Sequence, residues 1–94
     1  LLYFCLMIKM QIITHPKCEC CEDIKRYIKD IQRDFPELSV EIIDTTSPLG
    51  QEMVKKYNIL AAPGIIIQGK LEFSGETKEK DLRKKLKEIK SKTL

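Results

Sequence analysis

Between residues 7 and 44 the hydrophobic period changes from strand to helix and back, with a cysteine cluster at the first change. Met7 to Thr14 is rich in Ile and Met and reads as a strand buried on both faces. His15-Pro16 ends it, because Pro16 cannot continue a central ladder. From Cys18 to Phe35 the apolar positions are Cys21, Ile24, Ile28, Ile31 and Phe35, which lie on one face of an amphipathic helix. Pro36 closes that helix. Leu38 to Asp44 is again strand-like. A strand, a helix and a strand in succession imply parallel pairing and a right-handed crossover.

The rest of the chain follows the same grammar. Ser47-Pro48 supplies an N-cap followed by Pro at the first helical position, so a short helix runs to Tyr57 with Met53, Val54 and Tyr57 inward. Asn58 stops it. Ala61-Ala62-Pro63-Gly64 is a break. Ile65-Ile66-Ile67 and Leu71-Glu72-Phe73 form a hairpin about Gln68-Gly69-Lys70. Thr77 is the expected N-cap of a last helix that runs to about Lys90, with Leu82, Leu86 and Ile89 on its core face. The order is β-α-β-α-β-β-α, an α/β fold. Ninety-four residues suffice for one domain, with residues 1–6 a candidate non-native extension, since Met7 and Met10 are plausible starts.

Composition narrows the class. With 43% apolar and 33% charged residues the chain reads as soluble and globular. The apolar run Leu1 to Ile8 is shorter than the about 20 residues a membrane span needs, and it lacks the basic leader of a signal peptide. Residues 78–94 carry eight Lys or Arg against three Asp or Glu, which leaves nine against eleven elsewhere. The net charge of +3 therefore belongs to the last helix and tail. No aromatic residues interleave with these lysines, so a solvated helix face is expected rather than a nucleic-acid partner. No membrane partner is expected, and the molecule is expected to be a monomer in the cytoplasm.

The chemistry lies in Lys17-Cys18-Glu19-Cys20-Cys21. Cys18, Cys20 and Cys21 are too close together to staple distant loops, and Cys5 stands apart. A bridge across four residues would constrain little loop entropy. Residues three apart at a helix start share one side of the first turn, so Cys18 and Cys21 can close a small disulfide. Cys18 opens the helix, where unpaired N–H groups and the macrodipole favour a thiolate, and Lys17 adds a cation. It is the expected nucleophile. Cys21 is in phase with Ile24, Ile28 and Ile31 and is the expected shielded, resolving thiol. Cys20 lies about 100° around the helix, on a flank shared with Tyr27. It and His15, the sole histidine, are auxiliary candidates. The thiols, with His15, also allow a metal or iron–sulfur carrier as the alternative.

Three segments in order resemble thioredoxin-fold redox proteins, in particular small glutaredoxin-like thioredoxins. They are Cys18-Glu19-Cys20-Cys21 after the first strand, Tyr57-Asn58-Ile59 followed by Ala62-Pro63, and Ile65 to Lys70 with its glycine turn and the later Gly75. The resemblance covers about residues 8–90. It implies a four-stranded mixed sheet with the first and last helices on one face and the middle helix on the other. It implies a cis Ala62–Pro63 bond beside Cys18, with Ala62 pairing to substrate backbone. Ala62, Pro63 and Lys17 are the expected substrate-contacting residues. The implied activity is thiol–disulfide oxidoreduction of disulfide-containing proteins or small molecules. No cofactor beyond the Cys18–Cys21 disulfide is expected, and no metal. The electron donor is either a thioredoxin-reductase-like enzyme or a small thiol such as glutathione. Departures from the family pattern are Glu19 and Cys20 between the thiols, Lys17 in place of a tryptophan, and Ile12 where thioredoxins carry a buried acid.

Overall fold

A computed structural model describes residues 7–93. The expectations about residues 1–6, Cys5 included, lie outside the described residues. The elements are β1 (Ile8–Thr14), α1 (Glu19–Asp34), β2 (Leu38–Asp44), α2 (Pro48–Tyr57), β3 (Gly64–Ile67), β4 (Lys70–Ser74) and α3 (Glu79–Thr93). The sheet order is β2-β1-β3-β4. β1 pairs β2 in parallel, Ile12 opposite Ile42, and pairs β3 antiparallel, Ile12 opposite Ile65. β3 and β4 form a hairpin whose register shifts between Ile65 and Ile66, leaving Glu72 as the extra residue on β4. Gln68 and Gly69 both have positive φ, 52° and 79°, the pattern of a type I′ turn that matches strand twist.

The helices cover the two faces unequally. Ile24, Ile28 and Ile31 of α1 and Leu82 and Leu86 of α3 pack on Ile8, Met10, Ile12, Ile65 and Ile67. Arg83 of α3 ties these two helices together through Asp34 of α1, and Glu79 of its own helix holds its guanidinium in place. The opposite face holds a smaller cluster, with Ile13, Ile43 and Ile66 beneath Met53 of α2 and Ile59. α2 has 10 residues, about 15 Å of helix, and its cluster includes Ile13 and Ile43 near the C-terminal ends of β1 and β2. This corrects the reading of β1 as buried on both faces. Ile13 lies under that cover, whereas Lys9 on the same face is exposed and Gln11 half-buried.

Local chemistry sets the helix ends. Ser47 Oγ accepts the Gly50 N–H at 3.0 Å, and Pro48 follows as the first helical residue. Asn58 caps the other end in the left-handed conformation, φ 53°. Gly50 is required for packing, because a Cβ there would meet the Asp44 carbonyl. Thr77 is not the N-cap of α3. Its hydroxyl donates to the Gly75 carbonyl at 3.0 Å, and the Lys78 carbonyl accepts the first helical bonds from Asp81 and Leu82. The Thr77 hydroxyl instead closes the turn at Gly75, φ 98°.

Candidate active site

β1 delivers the chain to the cysteine turn, and α1 leaves from it. Cys18 is the N-cap of α1, in extended conformation at φ −96°, ψ 113°. Its Sγ accepts the Cys21 N–H at 3.1 Å, in the place a serine oxygen would occupy. Two bonds to His15 hold the turn ahead of it. The Cys18 N–H donates to the His15 carbonyl at 3.1 Å, and the Lys17 N–H donates to His15 Nδ1 at 3.2 Å. His15 thus braces the turn with its ring and its backbone, and a neutral ring accepting at Nδ1 carries its proton on Nε2.

The second wall comes from the far side of the sequence. Cys18 Sγ lies 3.6 Å from the Ala62 carbonyl, to which its S–H donates. The Ala62–Pro63 bond is cis, and Pro63 is buried. The loop is held from behind. Gly75 N–H donates to the Pro63 carbonyl at 3.0 Å, and Ser74 Oγ donates to the Ala61 carbonyl at 3.2 Å. Cys18, Lys17, His15, Ala62 and Pro63 are therefore neighbours in space although about 44 residues of chain separate the two groups.

The three described cysteines are free thiols in unlike surroundings. Cys21 is fully buried with Ile24 beneath α1. Burial pushes its thiol up to about 11, helped by the hydrogen bond with Cys18 and by the charge of Cys18, while the His15 backbone works in the opposite direction. Cys20 is half-buried, and its thiol is also pushed up, by desolvation first and then by Glu76, Cys18 and Asp23. On the same flank Tyr27 donates to the Thr77 carbonyl at 2.7 Å, and burial raises its hydroxyl to about 12. Cys20 and Cys21 thus face different ways. Among the described residues no group of three or more His, Cys, Asp or Glu side chains is arranged to hold a metal ion.

Beside Cys18 opens a groove of about 510 Å³, walled by Ile13, Val54, Ile59, Leu60, Ala61 and Ala62, with His15, Lys17 and Thr45 at its polar side. Leu60 is 86% exposed. Neither Leu60 nor Thr45 was a candidate from sequence. The one available signal was an apolar residue standing between the Asn58 stop and the Ala-Ala-Pro break. A second groove, between α1 and β2, contains Ile28, Val40 and Ile42 but no thiol.

A four-stranded mixed sheet with two helices on one face and one on the other, and thiols at the first strand-to-helix junction, is the thioredoxin-like fold. Solved structures agree. Thioredoxin O1 of Arabidopsis thaliana in the oxidised state superposes with a TM-score of 0.72 over 88% of this chain and 78% of its own, at 16% identity. The thioredoxin of Trypanosoma brucei brucei gives 0.70 over 89% and 75%, at 27% identity. A family model described as "Thioredoxin domain" matches residues 8–87. A thioredoxin of Methanocaldococcus jannaschii is 32% identical over 74 residues, which is 77% of this chain and 85% of that protein. The chain belongs to the thioredoxin family, whose general activity is thiol–disulfide oxidoreduction. Among the described residues no helix is long and apolar enough to cross a membrane.

Proposed function

We propose that the protein reduces disulfides through Cys18 and Cys21. The observation that carries this reading is the pairing of a half-exposed, N-capping Cys18 with a fully buried Cys21 one helical turn on. Negative charge on Cys18 Sγ is met by the Cys21 N–H and the N-terminus of α1. Cys18 attacks one sulfur of the substrate disulfide. The substrate S–S bond breaks, a mixed disulfide forms, and the first substrate sulfur leaves as a thiolate. Cys21 then loses its proton and attacks Cys18 Sγ. The second substrate sulfur leaves, takes up a proton, and the protein holds a Cys18–Cys21 disulfide, oxidised by two electrons. An external dithiol enzyme or a small thiol returns the electrons.

Ala62 offers backbone to a substrate strand at the position of the reacting sulfur, and Lys17 lies on the same side. Burial of Cys21 keeps it protonated until Cys18 is engaged, which limits its direct reaction with solvent thiols and oxidants. Cys20 has no part in the exchange. The expected outcome with an insulin disulfide assay is loss of reduction in Cys18→Ser, and accumulation of covalent mixed disulfides in Cys21→Ser. Full activity in Cys18→Ser would refute the assignment.

A further inference from the structure

The groove beside Cys18 is lined by two unlike side chains that the exchange itself leaves free. One is Leu60, the most exposed large hydrophobic side chain among the described residues at 86%. The other is Lys17, exposed and without an ion pair among the described residues, since all the ion pairs found involve other side chains. Ile59, Ala61 and Ala62 line the same groove and offer no side chain that hydrogen-bonds. Around Cys20 stand the carboxylates of Glu76 and Asp23, the latter paired with Arg26 at 2.8 Å. A substrate lying in the groove beside Cys18 thus meets an apolar surface and a cation without an ion pair among the described residues.

We infer that Leu60 and Lys17 select protein disulfides whose attacked cysteine is flanked by a bulky apolar residue and an acidic residue. This rests on the reading of Cys18 as the nucleophile. An apolar side chain laid on Leu60 removes two apolar surfaces from water at once. A carboxylate near Lys17 gains attraction from a cation that no other described side chain neutralises. A substrate with carboxylates but no apolar side chain, as in glutathione disulfide, engages only the cation. The groove therefore favours polypeptide disulfides over that small one.

The test uses reduced full-length protein in excess over synthetic peptide dimers, each joined by one disulfide between identical strands, so that attack on either sulfur is equivalent. Four dimers carry Leu or Ser and Asp or Lys beside the cysteine, with glutathione disulfide as a fifth substrate. Peptide thiol release is followed after acid quenching. The Leu–Asp dimer is expected to react about tenfold faster than the Ser–Asp dimer, the size of discrimination an apolar contact gives. It is expected to react about threefold faster than the Leu–Lys dimer at low salt, a difference that fades as salt screens the charge. Leu60→Ser should erase the Leu-against-Ser difference alone, and Lys17→Gln the Asp-against-Lys difference alone. Leu60→Ser should leave the slower rate with glutathione disulfide within about twofold, whereas Lys17→Gln should lower it, since that substrate engages only the cation. Equal rates for all four dimers in the unaltered protein, or variants that slow all substrates alike, would overturn the inference while leaving Cys18 as the nucleophile. Release that persists unchanged in Cys18→Ser would overturn the functional reading, and the inference with it.

Discussion

Replacing Cys18 by Ser isolates the buried thiol and tests the division of labour between the two sulfurs. Burial is the largest influence on Cys21 and, with the lesser contributions of Cys18, moves it from 9.0 to about 11. Each pH unit changes the thiolate population about tenfold, so near pH 8 Cys21 holds about a hundredth of the thiolate of an ordinary cysteine. Part of that shift comes from the hydrogen bond and charge of Cys18 and disappears with its sulfur. The desolvation remains, and the suppression in Cys18→Ser is expected to stay above about tenfold. The assay is alkylation by iodoacetamide from about pH 7 to about pH 10, mapped to each cysteine by mass spectrometry, with the same protein in urea as the reference. Cys21 should react more slowly than in urea, and its rate should climb with unit slope through about pH 9 without levelling, since the plateau lies above the ordinary thiol range. The slope separates acidity from access, because a merely inaccessible thiol would level off at its usual pKa. A Cys21 rate equal to that in urea near pH 8, or a plateau below about pH 9, would refute the argument. The same sign governs catalysis. Decay of a mixed disulfide on Cys18 should accelerate with rising pH, because Cys21 must shed its proton to attack.

Gly50→Ala drives a methyl group into the Asp44 carbonyl, so thermal unfolding should show a loss of at least about 1–3 kcal/mol, as for overpacked cores; an unchanged melting curve would contradict the packing of α2. Ser47→Ala removes the acceptor of the Gly50 N–H, and urea unfolding should report about 1 kcal/mol lost. Asp44 accepts from the Thr46 N–H at 2.7 Å and the Thr46 hydroxyl at 2.8 Å, and these bonds hold its carboxyl below the usual range. A carboxyl lowered on folding contributes stability above its unfolded pKa of about 3.9 that is lost as pH falls through the folded value. Asp44→Asn should therefore lower stability at neutral pH and flatten the acid limb, so that its curve and that of the unaltered protein converge as pH falls below about 4.

Much of the fold was legible because local periodicity reports which face of an element is apolar. The spacing of Ile24, Ile28 and Ile31 placed Cys21 inward, and the structure has it fully buried. Ser47, Pro48 and Asn58 marked the ends of α2 through capping chemistry that needs no distant partner. Thr77 misled because the last helix starts at Glu79, its first bonds going to the Lys78 carbonyl, while the Thr77 hydroxyl serves the turn at Gly75. Lys9 and Gln11 already interrupt the apolar run, but how much of that face is covered depends on the length and placement of α2, which β1 does not encode.

By itself the sequence determined the strand-to-helix junction, the one-turn separation of Cys18 and Cys21, and the inward phase of the second thiol. These follow from contacts within a few residues and from the repeat of the helix. Tertiary structure alone decided what stands across from Cys18. The β2-β1-β3-β4 order brings the Ala62 carbonyl within 3.6 Å of its sulfur and sets Leu60 and Lys17 along one groove. No local period carries that information, because it arises only when strands distant in sequence pair and bring their loops to one end of the sheet.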